Sequence, residues 1–384
     1  MTGLNIGVFG ARGIPSTYSG YETFLTTLLP ELVARGHHVT MYCRKGETQG
    51  DDTYRGVERI ILPAIPGKQF STLSHGAVAS VRSRIARHDV VVTVNVANAL
   101  FCALHRYTGR PIVLNTDGQE WLRGKWGKAA RSFFKGSARA AGRSATALIS
   151  DCAAIQSLYR TDFHATSTVI PYCIPANALK PAPEVLHRLG VEPGQYFVVA
   201  ARLNPENNVD TIADAYTKTQ LDVPLLALGA ANYSSPVEQH LAEIAARDTR
   251  IKVVGHVNNR DEFFELLGSA RAYLHGHSVG GINPSLVEAM HAGAHIAALD
   301  TPFNRETLHD TGQFFELPRL PEMFARLMVD SDAVVTQRRE GARIRAAERF
   351  NVNDVVDAYE QLLTAVSHRA ARKSFAMPTR WDSQ

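Results

Sequence analysis

From residue 4 onward, short apolar runs alternate with stretches whose apolar positions recur at helical spacing. Residues 4–9 read as a strand that stops at Gly10-Ala-Arg-Gly13, and residues 21–35 as the helix behind it. Further apolar runs at 38–43, 57–62, 90–95, 112–115 and 147–149 are separated by helical segments. Such alternation predicts a parallel sheet with helices on both faces. A stretch rich in Pro and Ala, residues 172–183, reads as an extended connector. A second series then follows at 196–200, 223–228, 251–254, 272–275 and 296–299. The last helical run, 352–367, has no strand after it and is expected to cross back onto the first domain, with a poorly ordered tail from Ala370. The predicted architecture is α/β, with two doubly wound domains at 1–172 and 173–350 and a terminal segment at 351–384. Two such halves in tandem imply a cleft, with ligands at the carboxyl ends of the strands.

Composition narrows the function class. At 384 residues the chain suits two domains, and its 45% hydrophobic and 20% charged residues are those of a globular protein. A formal charge of +4 argues against wholesale nucleic-acid binding. There is no apolar run long enough to span a bilayer and no leader-like start, so the expected location is cytoplasmic. Cys43, Cys102, Cys152 and Cys173 are widely spaced and read as buried thiols, not as a metal or disulfide framework. The histidines show no metal-ligand spacing, and Asp330-Ser-Asp332 falls between late helices, so no metal is expected.

Five segments could carry chemistry. Gly7-Val-Phe-Gly10-Ala-Arg-Gly13-Ile-Pro15, followed by Ser19-Gly20-Tyr-Glu22, lets backbone approach a ligand behind the first strand. A tight strand-to-helix turn would need the same glycines, and Pro15 delays the helix beyond what a dinucleotide fingerprint allows. Arg202, just past another strand, can grip a diphosphate, with Asn207 as a further donor. Gly280-Gly281-Ile-Asn283-Pro-Ser285 offers amides to phosphate oxygens, and Glu288 can accept from ribose hydroxyls or simply favour a helix start. The loop Asn115-Thr-Asp117-Gly-Gln-Glu120-Trp121 is polar and aromatic, with Asp117 and Glu120 as candidate acid, base or hydroxyl-holding groups. Finally, residues 123–143 carry Arg123, Lys125, Lys128, Arg131, Lys135, Arg139 and Arg143 with no acid. That pattern fits either a solvated basic face or peripheral contact with the anionic inner face of a membrane.

Taken together, these segments resemble retaining GT-B glycosyltransferases of family four. The resemblance is carried by Gly10-Ala-Arg-Gly-Ile-Pro15 with Tyr21-Glu22-Thr23, Asp117-Gly-Gln-Glu-Trp121 with Lys125-Trp126, Pro205-Glu-Asn-Asn208, and residues 275–290 and 299–306. The narrower likeness is to a bacterial branch with rhamnosyltransferases of surface-polysaccharide assembly. It implies two Rossmann-like domains facing across a cleft and a nucleoside-diphosphate sugar donor. No metal or other cofactor is needed, and the acceptor is a glycan or a polyprenyl-linked glycan. By matching position, the donor would meet Gly13, Arg202, Asn207, His256, Val257, Gly280, Gly281, Asn283, Ser285 and Glu288. Ser19, Gly20, Trp121 and Lys125 would lie on the acceptor side, and Asp117, Glu120 and Arg202 would be catalytic.

The chain departs from the wider family's pattern in four places. Asn207 stands for the usual lysine, Gly280 for the first of two paired glutamates, Asp117 for a histidine, and Ser19-Gly20 for a Gly-Gly pair. Competing readings are a nucleotide-sugar epimerase, a silent nucleotide-sugar-binding subunit, and an NAD-dependent oxidoreductase. The last is weakened because no acid ends the second strand, where Arg44-Lys45 stand instead.

Overall fold

Central strands such as residues 90–94 and 225–228 form where Val, Leu and Ala dominate, and strands buried on both faces need that composition. The computed structural model describes residues 3–15, 20–48, 50–65, 67, 70–124, 126–173, 180–231, 235–368 and 375–382. It divides into one unit of Met1–Pro175 with Phe350–Gln384, and a second of Ala176–Arg349.

The first unit contains β1 (Asn5–Phe9), α1 (Gly20–Ala34), β2 (His38–Arg44), β3 (Thr53–Tyr54), β4 (Val57–Leu62), α2 (Phe70–Ile85), β5 (Val90–Val94), α3 (Ala99–Tyr107), β6 (Ile112–Asn115), α4 (Lys128–Ser144), β7 (Ala147–Ser150), α5 (Ala153–Phe163) and β8 (Thr168–Val169). Its sheet runs β3-β4-β2-β1-β5-β6-β7-β8, parallel except for β3 against β4. Strand order reverses between β1 and β5, which pair Ile6 with Val90 through Phe9 with Thr93.

In the second unit come α6 (Glu184–Leu189), β9 (Phe197–Ala200), α7 (Val209–Thr217), β10 (Leu225–Leu228), α8 (Pro236–Arg247), β11 (Ile251–Gly255), α9 (Arg260–Gly268), β12 (Ala272–His275), α10 (Pro284–His291), β13 (Ile296–Leu299), α11 (Pro302–Leu308), β14 (Gln313–Phe315), α12 (Leu320–Val329) and α13 (Asp332–Arg349). All six strands are parallel in the order β11-β10-β9-β12-β13-β14, and here the order reverses between β9 and β12. Phe197, Tyr216 and Phe324 pack edge to face in its core, with centroids 4.9–6.0 Å apart.

The chain returns to the first unit as α14 (Val352–Ser367). That helix packs on α1, and its Tyr359 hydroxyl accepts a 3.0 Å bond from Asn115 Nδ2 at the end of β6. The expectation of a loose tail is overturned for residues 375–382. Phe375 N donates to the Thr146 carbonyl (3.0 Å), Thr379 Oγ1 to the Val169 carbonyl (2.8 Å), and Gln156 Nε2 to Asp382 Oδ1 (2.8 Å). Trp381 is 2% exposed. A buried indole outweighs the polar look of the surrounding sequence. The apolar runs predicted at 57–62, 112–115, 272–275 and 296–299 coincide with β4, β6, β12 and β13. The very short β3, β8 and β14 had no run long enough to show.

Candidate functional site

In the second unit, two loops leave the reversal point of the sheet side by side. One follows β9 and carries Arg202. The other follows β12 and leads to Glu288. They are laced together by their own backbone. Glu206 O accepts from Ser278 N (2.9 Å) and Ser278 Oγ (3.0 Å), and Asn208 Nδ2 donates to Gly276 O (2.7 Å). Gly276 has no room for a side chain, because a Cβ there would stand 2.5 Å from the Asn207 carbonyl oxygen. A third loop joins through the buried Asn304, whose Nδ2 donates to Leu299 O (2.8 Å) and His277 O (3.2 Å).

Arg202 is half-buried, and among the described residues its guanidinium has no hydrogen-bond or ion-pair partner. Five donors are therefore left for a ligand. Asn207 is placed differently from the free donor expected of it. It is 2% exposed, and its Nδ2 is spent on the Arg202 carbonyl at 2.7 Å, holding the arginine's loop in shape.

Gly280 and Gly281 lie in the turn before α10. Gly280 adopts φ +141°, which favours glycine even though a Cβ would meet nothing within 4 Å. Asn283 is the N-cap of α10, its Oδ1 accepting from Ser285 N (3.1 Å) and Ser285 Oγ (2.8 Å), with Pro284 in the first turn. Glu288 sits one turn further in, 7% exposed. Its Oε1 pairs with the Arg260 guanidinium at 2.8 Å, which leaves Oε2 without a hydrogen bond among the described residues. Burial raises the carboxyl's pKa and the Arg260 charge opposes that rise. Arg260, which opens α9 and lies 4.8 Å from the Phe264 ring centroid, escaped the sequence reading. Only the fold brings that helix start to Glu288. His256 is exposed and Val257 half-buried, both between β11 and α9.

Beneath these loops, His275 is fully buried. Its ring stacks on His277 at 4.3 Å and 13° between planes, and Nδ1 meets the Tyr273 hydroxyl at 2.8 Å. Burial drives its pKa down to about 3, so the ring is neutral. His275 Nε2 has no partner among the described residues.

In the first unit, Gly10 (φ +107°) and Gly13 (φ +145°) fill the loop after β1. A Cβ on Gly10 would stand 2.4 Å from Val94 O, and one on Gly13 2.4 Å from Thr48 Cγ2. The protein's own packing thus accounts for both glycines. Arg12 N donates to Glu22 Oε1 (3.2 Å), tying this loop to the first turn of α1. Gly20 opens α1; Ser19 and Lys125 lie outside the described residues.

Asp117 follows β6 with φ +57°, a left-handed backbone that Asp and Asn tolerate best. Asn115 Oδ1 accepts from its N–H at 3.0 Å, and the Tyr172 hydroxyl donates to Asp117 Oδ1 at 3.3 Å. The half-buried carboxylate is thereby held in one direction. Glu120 has another occupation. It is 4% exposed, pairs with the Arg123 guanidinium, and accepts from Trp126 Nε1 at 2.9 Å. Trp121 is likewise core, packing edge-on against Tyr159 and Phe163 at 6.4 and 5.4 Å. Away from both loops, Asp330 Oδ2 accepts from Gln313 Nε2 at 2.5 Å, a bond between β14 and the end of α12.

Comparison with known proteins divides the chain in much the same way. Residues 4–174 match a family described only as a domain of unknown function, DUF1972, and residues 188–330 match the family described as Glycosyl transferases group 1. No curated protein matches by sequence. Sucrose-phosphate synthase from Thermosynechococcus elongatus is similar in structure, with TM-score 0.79 and 18% identity, over 94% of this chain and 100% of that one. HepE from Anabaena, solved with UDP-glucose, has TM-score 0.75 and 17% identity over 94% and 99%. An α,α-trehalose-phosphate synthase from Burkholderia xenovorans, solved with glucose-6-phosphate, has TM-score 0.73 and 11% identity over 94% and 100%. The two parallel-sheet units are those of the GT-B fold.

Proposed function

Since residues 188–330 carry a glycosyl transferases group 1 domain, we propose that the chain is a retaining, metal-independent hexosyltransferase. It moves a sugar, with rhamnose as the leading choice, from a nucleoside-diphosphate sugar to a glycan or polyprenyl-linked acceptor in surface-polysaccharide synthesis. The observation that carries the donor assignment is the guanidinium of Arg202. It is half-buried and unpaired among the described residues, at the reversal point of a parallel sheet. A cation so placed meets the leaving diphosphate and stabilises the charge that develops there. HepE, whose structures hold UDP-glucose, UDP and glucose on the same fold, supports a nucleotide-sugar donor.

The remaining roles follow from what each group has free. The N-terminus of α10 and the turn at Gly280-Gly281 offer backbone N–H groups to phosphate oxygens. Glu288 Oε2 accepts from the ribose while Oε1 stays paired with Arg260. Asn207 supports Arg202 from behind. In the first unit, Asp117 is the group that orients an acceptor hydroxyl. Retention and rhamnose rest on the sequence resemblance.

Metal-free thermal shifts with UDP, GDP, dTDP, ADP and NAD test the donor assignment. A ligand at 100 times its Kd adds about 2.7 kcal/mol. Stabilisation by one nucleoside diphosphate, lost in Arg202→Ala, is the expected outcome. Stabilisation by NAD alone, or an Arg202→Ala enzyme with donor affinity and turnover intact, would refute it. The anomeric configuration of the glycosidic product relative to that of the donor, read by NMR, then decides retention.

A further inference from the structure

Helix α2 is built inside out. Its buried positions are His75, Gly76, Ala79, Ser80 and Ser83, whereas Phe70, Val78, Val81 and Ile85 are exposed, Ile85 at 63%. At 100° per residue those four apolar side chains fall within about 80° of one another. Burial of apolar surface normally directs such a stripe inward. The neighbouring α3 repeats the pattern, with Leu100, Leu104 and Tyr107 exposed at helical spacing, Tyr107 at 79%.

Beside α3 lies α4, whose outer face is Lys128, Arg131, Lys135, Arg139 and Arg143. All five are exposed, and among the described residues none is in an ion pair. The three helices form one layer. Arg84 Nε donates to Thr108 Oγ1 (2.6 Å), Ser80 Oγ to Phe101 O (3.3 Å), and the Arg106 guanidinium to Ala145 O. Eight of the chain's 41 Lys and Arg lie in α2, α3 and α4, and none of its 37 Asp and Glu. Without this layer the formal charge of +4 would turn negative.

We propose that the outer face of α2, α3 and α4 docks on an anionic lipid bilayer. The apolar stripes of α2 and α3 enter the headgroup boundary, and the cations of α4 lie among the phosphates. Charge decides between occupants. Pairing this face with a second copy would bring two cationic layers together, with no acid on the three helices to offset them. No helix among the described residues is long and apolar enough to cross a membrane, so the contact is with the surface. The proposal does not depend on which sugar is transferred.

The test is co-sedimentation of the full chain with vesicles of phosphatidylcholine mixed with phosphatidylglycerol, and of phosphatidylcholine alone. Binding is expected only to the anionic vesicles, weakening as salt rises. Each cation contributes about fivefold to partitioning. The variant Lys128→Glu/Arg131→Glu/Lys135→Glu/Arg139→Glu should therefore lose more than about a hundredfold. Val81→Asp/Ile85→Asp, and independently Leu104→Ser/Tyr107→Ser, should also release the protein. Their circular dichroism melting should be unchanged, because every replaced side chain is exposed. Failure of the unaltered protein to bind anionic vesicles, equal binding to phosphatidylcholine alone, or folded variants that bind as before would overturn the proposal. Self-association that Val81→Asp/Ile85→Asp abolishes, without vesicle binding, would assign the face to a second copy and overturn it too.

Discussion

Replacing Gly276 with alanine probes the lacing of the loops that follow β9 and β12. The new Cβ would stand 2.5 Å from the Asn207 carbonyl oxygen, 2.8 Å from Ile212 Cδ1 and 3.2 Å from Asn208 Cβ. Two of these neighbours are parts of the Arg202 loop, and ordinary contact begins at 3.4 Å, so the backbone of that loop must retreat by roughly 1 Å. Gly276 does not occupy a left-handed φ, so the penalty is one of space. Overpacking of this kind costs about 1–3 kcal/mol. In a unit of this size each kcal/mol lowers the melting temperature by about 2–4 °C. The functional loss should be larger than the loss of stability. Asn207 Nδ2 grips the Arg202 carbonyl, so the retreat carries the guanidinium with it. A misplacement of about 1 Å can cost about a hundredfold in rate. Calorimetric melting, nucleotide titration and kcat/KM would be measured beside Asn208→Gly, which removes the 2.7 Å tie to Gly276 O without adding bulk and suits the left-handed backbone at φ +54°. That control should cost only about 0.5–1.5 kcal/mol. A Gly276→Ala protein that melts and binds nucleotide like the parent would refute the reasoning.

Three further outcomes follow from burial. His275 is depressed to about 3, and His75, His105 and His295 to about 4. These rings are neutral when folded but take up protons near pH 6.5 when unfolded. Their stabilisation is complete above about pH 6.5 and is lost as pH falls toward 3–4, at up to about 1.4 kcal/mol per pH unit for each ring. Urea midpoints that stay constant between pH 7 and pH 5 would contradict this. Trp381→Ala should cost the first unit about 3–5 kcal/mol in chemical denaturation, whereas a dispensable tail would show no change. Glu120→Ala leaves the largely buried Arg123 without its carboxylate and should cost about 3–5 kcal/mol. If that variant instead melts normally and is simply inactive, Glu120 is catalytic and not structural.

Much of the fold was written in local pattern. Strands such as β5, buried at all five positions, need continuous apolar runs, and helices between them need a 3.6-residue period, so both survive as one-dimensional signals. The N-cap at Asn283 followed by Pro284 is equally local. Arg202 was legible because it sits just past a strand end, and Glu288 because it lies in the helix that follows the next such loop, where these sheets bind ligands.

Other features depend on partners that are distant in sequence. Arg260 meets Glu288 only because helices α9 and α10 pack side by side in the folded unit. Asn207 and Glu120 carry side chains that suit a ligand or a brace equally well, and which one applies depends on what lies within hydrogen-bond reach. Trp381 reads as tail until its neighbours Phe375, Thr379 and Asp382 are tied to Thr146, Val169 and Gln156 and its ring is buried. The stripes of α2 are visible as a period, but a period does not say which face points inward. Sequence by itself determined the order and type of elements and the residues with the right chemistry, because those follow from neighbours along the chain. Tertiary structure alone decided which polar groups are already satisfied and which remain free, because that depends on distances the chain sets only when it folds.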